Sequence, residues 1–209
     1  METAVEKTIW TLDSLEKIGG HAVSQEGSPK LIDTPAGKAV AFDGVEDIVY
    51  VADHPLAGAE TWTIEAVFRP DGGAFEQRWL HLAEADPVNG DAQTPRTLFE
   101  LRVVEGGWYS DAFTTGPGYN KALIVPENVF PLGRWYTVQQ SFDGKIYRSY
   151  VDGVLQAEAE IAYVPQAAGR TAIGMRINKA TPFKGAVHSL YFTRRALTPA
   201  EFQRLPEGL

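Results

Sequence analysis

The chain has 209 residues, of which 19 are Lys or Arg and 27 are Asp or Glu, so its formal net charge is −8. This acidic balance disfavours nucleic acid and anionic membranes as partners, and no apolar run reaches the ~20 residues of a membrane span. Because the sequence contains no cysteine, disulfides, thiolate zinc sites and cysteine nucleophiles are excluded.

The N-terminal segment METAVEKTIWTL lacks a basic region followed by an apolar stretch, so we expect no signal peptide in it. No linker rich in Pro, Gly or Ser and no internal repeat divides the sequence. We therefore expect a single domain over residues 1–209.

Ten strands are predicted from alternating apolar residues with turn residues between them, a pattern typical of a β-sandwich. They cover residues 38–42, 48–52, 61–69, 77–83, 98–104, 108–113, 135–142, 146–151, 170–178 and 185–193. Helix is scarce. One helical turn fits residues 12–18, and Thr198, Pro199 and Glu201 predict a short C-terminal helix over residues 199–205.

Two Asp-Gly pairs, Asp143-Gly144 and Asp152-Gly153, each follow an alternating run rich in aromatic residues. Asp-Gly is typical of β-hairpins because a type I′ turn needs positive φ at both central residues. These pairs predict an antiparallel all-β fold.

Side chains of alternating strand residues point to opposite faces, so the apolar residues identify the core side. The residues expected on the outer face, and predicted to bind a ligand, are Gln77, Trp79, His81, Glu100, Arg102, Gln139, Arg176 and Asn178. An aromatic ring beside amide, guanidinium and carboxylate groups suits a sugar, whose C–H face it covers while the polar groups bond the hydroxyls. We predict a carbohydrate-binding surface with Trp79 as its stacking residue.

Four sequence blocks resemble the laminin-G-like domains of the concanavalin A-like lectin/glucanase superfamily, in their bacterial form. They are residues 39–51 (AVAFDG to DIVYV), 62–70 (WTIEAVFRP), 133–153 (GRWY to YVDG) and 183–202 (FKGAV to RALTPAEF). The resemblance implies a jelly roll of two antiparallel sheets, one of them concave, and an exported protein. It implies an oligo- or polysaccharide partner but no single activity, because the superfamily holds lectins, adhesion modules, glycoside hydrolases and polysaccharide lyases.

One alternative is a polysaccharide lyase. Residues 99–102 are similar to part of an arginine-rich motif in jelly-roll alginate lyases. The resemblance implies His81 as base and Tyr109 as acid, with Arg102, Gln77 and Arg176 around a uronate carboxylate. The lyases' Gln-X-His triplet and their C-terminal block rich in Tyr and Lys are not matched.

A glycosidase of the laminarinase type is the second enzymatic alternative. Its Glu-X-Asp-X-X-Glu strand motif, which sets two carboxylates on one face, is not present in the sequence. Glu100 and Asp111 can form such a pair only if their strands are adjacent.

Non-catalytic alternatives also stay open. Glu100, Arg102 and Arg176 are equally typical of an ion-pair network across neighbouring strands. The outward aromatic residues would also suit a protein-interaction module without a small ligand.

Calcium is the one cofactor that the sequence suggests. Hard oxygen ligands occur in two loops, one with Asp43, Glu46 and Asp47 and the other with Asp86, Asn89 and Asp91. Some laminin-G-like relatives bind Ca²⁺, and the alternative is a pair of turns rich in Asp and Asn.

Overall fold

The structure, a computed structural model, describes residues 6–85 and 95–209. In these ranges the chain forms two antiparallel sheets that pack face to face. The strands are β1 Lys7–Thr11, β2 Lys17–Ile18, β3 His21–Glu26, β4 Lys30–Thr34, β5 Gly37–Asp43, β6 Ile48–Val51, β7 Trp62–Pro70, β8 Glu76–Glu84, β9 Arg96–Val104, β10 Gly107–Gly116, β11 Tyr119–Ile124, β12 Tyr136–Phe142, β13 Ile146–Val151, β14 Val154–Glu160, β15 Gly169–Ile173 and β16 Lys184–Thr193.

The first sheet has the order β14-β13-β12-β7-β16-β5-β4, and the second has the order β11-β10-β9-β8-β15-β6-β3-β2. On one side, strand β16 pairs with two strands in succession. Its first residues pair with β5 and its last five, Ser189 to Thr193, pair with β1. The predicted antiparallel two-sheet sandwich is confirmed.

The core lies between the sheets and is rich in aromatic residues. Trp10, Trp62, Trp79 and Trp108 are each at most 1% exposed. The rings of Phe68 and Trp79 stack with their centroids 4.5 Å apart. Large apolar rings bury much area per residue, so these residues hold the two sheets together.

Nine of the ten predicted strands end within three residues of the observed bounds, and the tenth is shorter than predicted. The predicted strand 170–178 ends at Ile173 because Gly174 has a φ of +101°, and a Cβ there would lie 2.3 Å from Phe42 Cδ1. Beyond Gly174 the chain turns across the outer face of the second sheet. Met175 and Ile177 are therefore buried in a second cluster, with Ile48, Ala83 and Ala172, rather than beside Ile173 in the main core.

Six strands, β1 to β4, β11 and β14, were not predicted. They lie towards the edges of the sheets and several are largely exposed, such as β3 (HAVSQE) and β14 (VLQAEAE). Such strands lack a clear apolar alternation. The predicted helical turn at 12–18 is wrong, since Lys17–Ile18 is a strand.

The C-terminal helix is shorter than predicted. A 3-10 turn covers Pro199–Glu201, and the Glu201 carboxylate accepts a hydrogen bond from the Thr198 N–H at 2.7 Å. The turn ends at Phe202, whose ψ of 148° is extended. Within the described ranges, no helix combines the length and the apolar character that crossing a bilayer demands.

The two Asp-Gly hairpins differ. Asp152 and Gly153 both have positive φ, 49° and 74°, as a type I′ turn requires. In the other hairpin only Gly144 does. There the Asp143 Oδ1 accepts hydrogen bonds from the N–H groups of Lys145 and Ile146, so the side chain closes an Asx-type turn.

Candidate functional site

A cavity of about 220 Å³ opens on the outer face of the second sheet. We call it the arginine–carboxylate pocket. It is lined by Arg78, Arg96, Leu98, Glu100, Arg102, Asp111, Phe113, Ala122, Ile124 and Arg176. The register of β8, β9 and β10 produces it, because Glu100 lies directly between Arg78 and Asp111.

An ion-pair network fixes the floor of this pocket. Arg102 Nη2 lies 2.7 Å from Asp111 Oδ2 and Arg102 Nη1 lies 3.4 Å from Glu100 Oε2. Arg78 Nε lies 3.0 Å from Glu100 Oε1, and Glu76 contacts both arginines at the edge. The cross-strand network expected for Glu100 and Arg102 is therefore present, and it holds these side chains in place before any ligand arrives.

Glu100 and Asp111 form a buried carboxyl pair on adjacent strands. Their exposed fractions are only 5% and 2%. Burial, followed by the charge of neighbouring Glu100, raises the pKa of Asp111 to about 7, although Arg102 acts in the opposite direction. In the described part of the chain Asp111 Oδ1 has no hydrogen-bond donor. Because its pKa is raised, Asp111 keeps its proton over most of the acid range.

Apolar side chains border the polar floor. Ile124, which is opposite Asp111 on β11, is 41% exposed. Phe75 is 57% exposed, and its ring centroid lies 5.9 Å from the Arg102 guanidinium carbon. An exposed aromatic ring beside a fixed arginine offers a surface for a sugar ring.

Trp79 does not lie on the outer face, and this prediction is wrong. The pairing of β8 with β9 shifts between Arg78 and Leu80, so Trp79 is the extra residue of a β-bulge. Its side chain is 1% exposed and belongs to the core together with Leu80. It cannot stack on a sugar at the surface.

Gln77 is also on the inner side of the bulge. It is fully buried, and its Nε2 donates to the carbonyls of Gly72 and Ala74 while its Oε1 accepts from the Lys184 N–H. These bonds use its polar atoms to tie a loop to β16. The prediction that Gln77 faces a ligand is wrong.

His81 lies on the outer side of the second sheet but is covered by the chain that follows Gly174. It is fully buried, and its Nδ1 accepts a hydrogen bond from the Ile177 N–H at 3.0 Å. Burial first, and then the positive charges of Arg96 and Arg176, lower its pKa well below the usual value. The ring is therefore neutral and serves as a hydrogen-bonded support for the turn.

His81 and Tyr109 are too far apart to act as base and acid on one sugar carbon. His81 is on β8 and pairs with Leu98 of β9, whereas Tyr109 is on β10 and pairs with Arg102 of β9. Four residues of β9 separate these positions, about 13 Å at ~3.3 Å per residue. The implied pair of catalytic residues is wrong.

The three remaining predicted residues, Arg176, Asn178 and Gln139, do not lie together. Arg176 lines the arginine–carboxylate pocket with Glu100 and Arg102. Asn178 is exposed at the adjacent turn. Gln139 lies on β12 of the first sheet, so the prediction that it shares a face with Arg102 is wrong.

Three residues of this site were not predicted from the sequence: Arg78 and Arg96, which line the pocket, and Phe75, which lies against Arg102. Regular alternation puts Arg78 and His81 on opposite faces of β8. The extra residue of the bulge reverses the faces, so both side chains lie on the outer face. Phe75 lies just before β8, where no alternation defines its direction. Its signal is an aromatic residue in a loop rich in glycine and charge.

The loop predicted to hold Ca²⁺ has internal partners for its carboxylates. Asp43 Oδ1 accepts from the N–H groups of Val45 and Glu46, and Asp47 accepts from those of Ser28 and Asp43. Residues 6–85 and 95–209 contain no group of three His, Cys, Asp or Glu side chains arranged to hold a metal. The second candidate set, Asp86, Asn89 and Asp91, lies outside the described residues.

Three solved structures show the same fold. Domain 4 of an extracellular GH43 arabinanase from Geobacillus stearothermophilus, solved with arabinotriose, has a TM-score of 0.69 at 18% identity, over 94% of this chain and 96% of that one. The receptor-binding domain of botulinum neurotoxin D gives 0.66 at 10% identity, over 93% and 50%. A sialidase of Trypanosoma rangeli, solved with the inhibitor DANA, gives 0.62 at 13% identity, over 92% and 31%.

These likenesses establish the fold alone, and the chain spans half or less of the neurotoxin and sialidase chains. No functionally curated protein has detectable sequence similarity to the chain. A laminin G family model, described as the concanavalin A-like lectin/glucanases superfamily, matches residues 43–203. The resemblance noted in the sequence is thereby confirmed, and the chain belongs to the concanavalin A-like lectin/glucanase superfamily as a laminin-G-like domain.

Proposed function

We propose that this protein is a carbohydrate-binding module whose arginine–carboxylate pocket holds one sugar unit. The observation that carries the proposal is the pocket itself, an opening of about 220 Å³ with charged hydrogen-bonding groups on its floor and Ile124 at its edge. Its volume is below the ~300–1,000 Å³ typical of drug-sized ligands, which suits a single ring of a longer glycan.

The chemistry of the floor supports a hydroxyl-rich ligand. Arg102 has guanidinium donors, Glu100 and Asp111 have carboxyl acceptors, and the ion pairs keep all three in position. Sugar hydroxyls use both kinds of group. Phe75 takes the stacking role that the sequence assigned to Trp79. The arabinotriose bound by a structurally similar arabinanase domain is in keeping with this ligand class.

Binding is favoured over catalysis by the placement of the carboxyl groups. Glycosidase carboxyl pairs stand about 5–5.5 Å or 6.5–9.5 Å apart so that a sugar carbon or a water fits between them. Glu100 and Asp111 are instead bridged by the Arg102 guanidinium, whose Nη1 lies 3.4 Å from Glu100 Oε2 and whose Nη2 lies 2.7 Å from Asp111 Oδ2. His81, the candidate lyase base, is fully buried.

Replacement of Ile124 by glutamate is expected to weaken glycan binding about tenfold or more, equivalent to ~1.4 kcal/mol or more. The new charge would stand at the pocket edge opposite the acidic Asp111. Glycans selected on an array and then titrated by calorimetry provide the measurement. Ile9→Glu is the matched control, since Ile9 is an exposed strand residue of the first sheet (53%). Equal affinity of both variants and the wild type would reject this pocket as the binding site.

Replacement of Phe75 by alanine is expected to weaken the same binding about two- to tenfold, because an aromatic contact contributes ~0.5–1.5 kcal/mol beyond its buried area. Phe75 is 57% exposed, so the melting temperature should stay close to that of the wild type. Retention of full affinity would show that the ligand does not reach this ring.

A further inference from the structure

A second cavity, of about 340 Å³, lies on the outer face of the first sheet. We call it the Gln139 cavity. Its floor is formed by Thr137 and Gln139 of β12, one wall by the Asp152-Gly153 turn, and its cover by residues 199–205. It is on the opposite sheet from the arginine–carboxylate pocket.

Gln139 is the feature of this cavity that needs an explanation. Its side chain is 1% exposed, and neither Nε2 nor Oε1 has a hydrogen-bond partner in the described part of the chain. A buried amide without partners costs stability, so native proteins nearly always pair such groups. This amide stands in the middle of a strand with a neighbour on each side, where the backbone holds it firmly.

The nearest polar neighbours already have other partners. Glu65, directly opposite on β7, accepts from Lys7 Nζ through Oε1 and from the Gln203 N–H through Oε2. Asp152 Oδ1 accepts from the Thr137 N–H at 2.9 Å. Gln139 is therefore left as one donor group and one acceptor in a single plane, facing the cavity.

The rest of the lining restricts the class of ligand. Asp152 and Arg204 contribute one charge of each sign, so the charges of the lining favour neither an anion nor a cation. Phe202 and Leu205 provide apolar surface, and Phe202 is held edge-on against Tyr150 with centroids 5.0 Å apart. A neutral ligand with polar groups along one side and an apolar face on the other fits this arrangement.

We propose that the Gln139 cavity binds a neutral sugar, with two vicinal hydroxyls bonded to the Gln139 amide. One hydroxyl accepts from Nε2 and the other donates to Oε1, which satisfies both buried atoms. The C–H face of the ring lies against Phe202 and Leu205. The protein would then have two separate sugar sites, one on each sheet, and the second does not depend on the first.

The test is a titration followed by NMR, with the methyl glycosides of glucose, galactose and mannose as probes. We expect saturable shifts of the Gln139 side-chain amide signals and of residues 199–205 with at least one probe. A fully O-methylated glucoside, which has no donor hydroxyl, should cause none. No saturable shift with any of the three sugars, or equal shifts with the methylated control, would overturn the proposal and leave water as the partner of Gln139.

Variants separate this site from the arginine–carboxylate pocket. Gln139→Met removes both hydrogen bonds and should weaken binding here about tenfold or more, while the exposed Gln25→Met should leave it unchanged. Ile124→Glu should leave it unchanged as well, so that failure of one site does not imply failure of the other. Methionine also removes an unpaired buried amide, so the melting temperature should hold or rise. A Gln139→Met protein that keeps wild-type affinity would contradict the assignment.

Discussion

Replacement of Trp79 by alanine is expected to lower the free energy of unfolding by about 3–5 kcal/mol, the usual cost of emptying a buried aromatic site. The indole stacks on Phe68 with an interplanar angle of 8° and also lies against Phe99 and Phe183. Alanine would leave a void between the sheets that these rings cannot fill without moving. Urea denaturation of the wild type and the variant measures the difference.

Phe75→Ala is the matched control for this measurement. Phe75 is an aromatic residue close to β8 in sequence, but it is 57% exposed, so its loss should change the unfolding free energy by ~0.5 kcal/mol or less. A loss below about 1 kcal/mol for Trp79→Ala would place the indole at the surface and contradict the bulge in β8.

The second large effect is a pH dependence that Asp111 produces. Its folded pKa of about 7 is above the ~3.9 of an unfolded aspartate, so the folded state binds more protons between these values. The stability from this group is fully present below about pH 4 and is lost as the pH rises through about 7. At ~1.4 kcal/mol per pH unit, the loss is on the order of 4 kcal/mol.

Asp111→Asn should remove most of this slope, because asparagine does not titrate. The measurement is the unfolding free energy from urea titrations at several values between pH 4 and pH 8. Asp33→Asn serves as control. Asp33 is an exposed carboxylate whose pKa is lowered by its hydrogen bond and ion pair with Lys38, so it titrates below this window. Parallel curves for the wild type and Asp111→Asn would mean that the pKa of Asp111 is not raised in the folded protein.

The ten strands that the sequence predicted all have a neighbouring strand on each side. Strands such as β7, β12 and β16 have few exposed residues, and the spacing of their apolar residues identifies them directly. Strand β14 has seven residues of which none is buried. It is a strand because β13 provides its hydrogen-bond partners. The residues of β14 themselves do not show this pairing.

Site residues were predicted correctly on strands whose side chains alternate regularly between the two faces, and they were missed where this alternation is interrupted. Glu100 and Arg102 are on the expected face because β9 pairs regularly with β10 along its length. A single extra residue at Trp79 reverses the faces of its strand, and the sequence shows no turn residue there to signal it. Gln139 faces outward as expected, but which sheet contains β12 depends on contacts far apart in the chain.

The pairing of β16 has a consequence for how the chain acquires its structure. This strand is inside the first sheet, and its partners β7, β5 and β1 all come from the first 70 residues. During synthesis those three strands leave the ribosome long before Lys184–Thr193 exists, and until then no strand links β7 to β5 or to β1. Contacts between such distant segments form slowly. The first sheet can therefore be completed only after residue 193 has been made, so we expect its formation to be a late step in the folding of this domain.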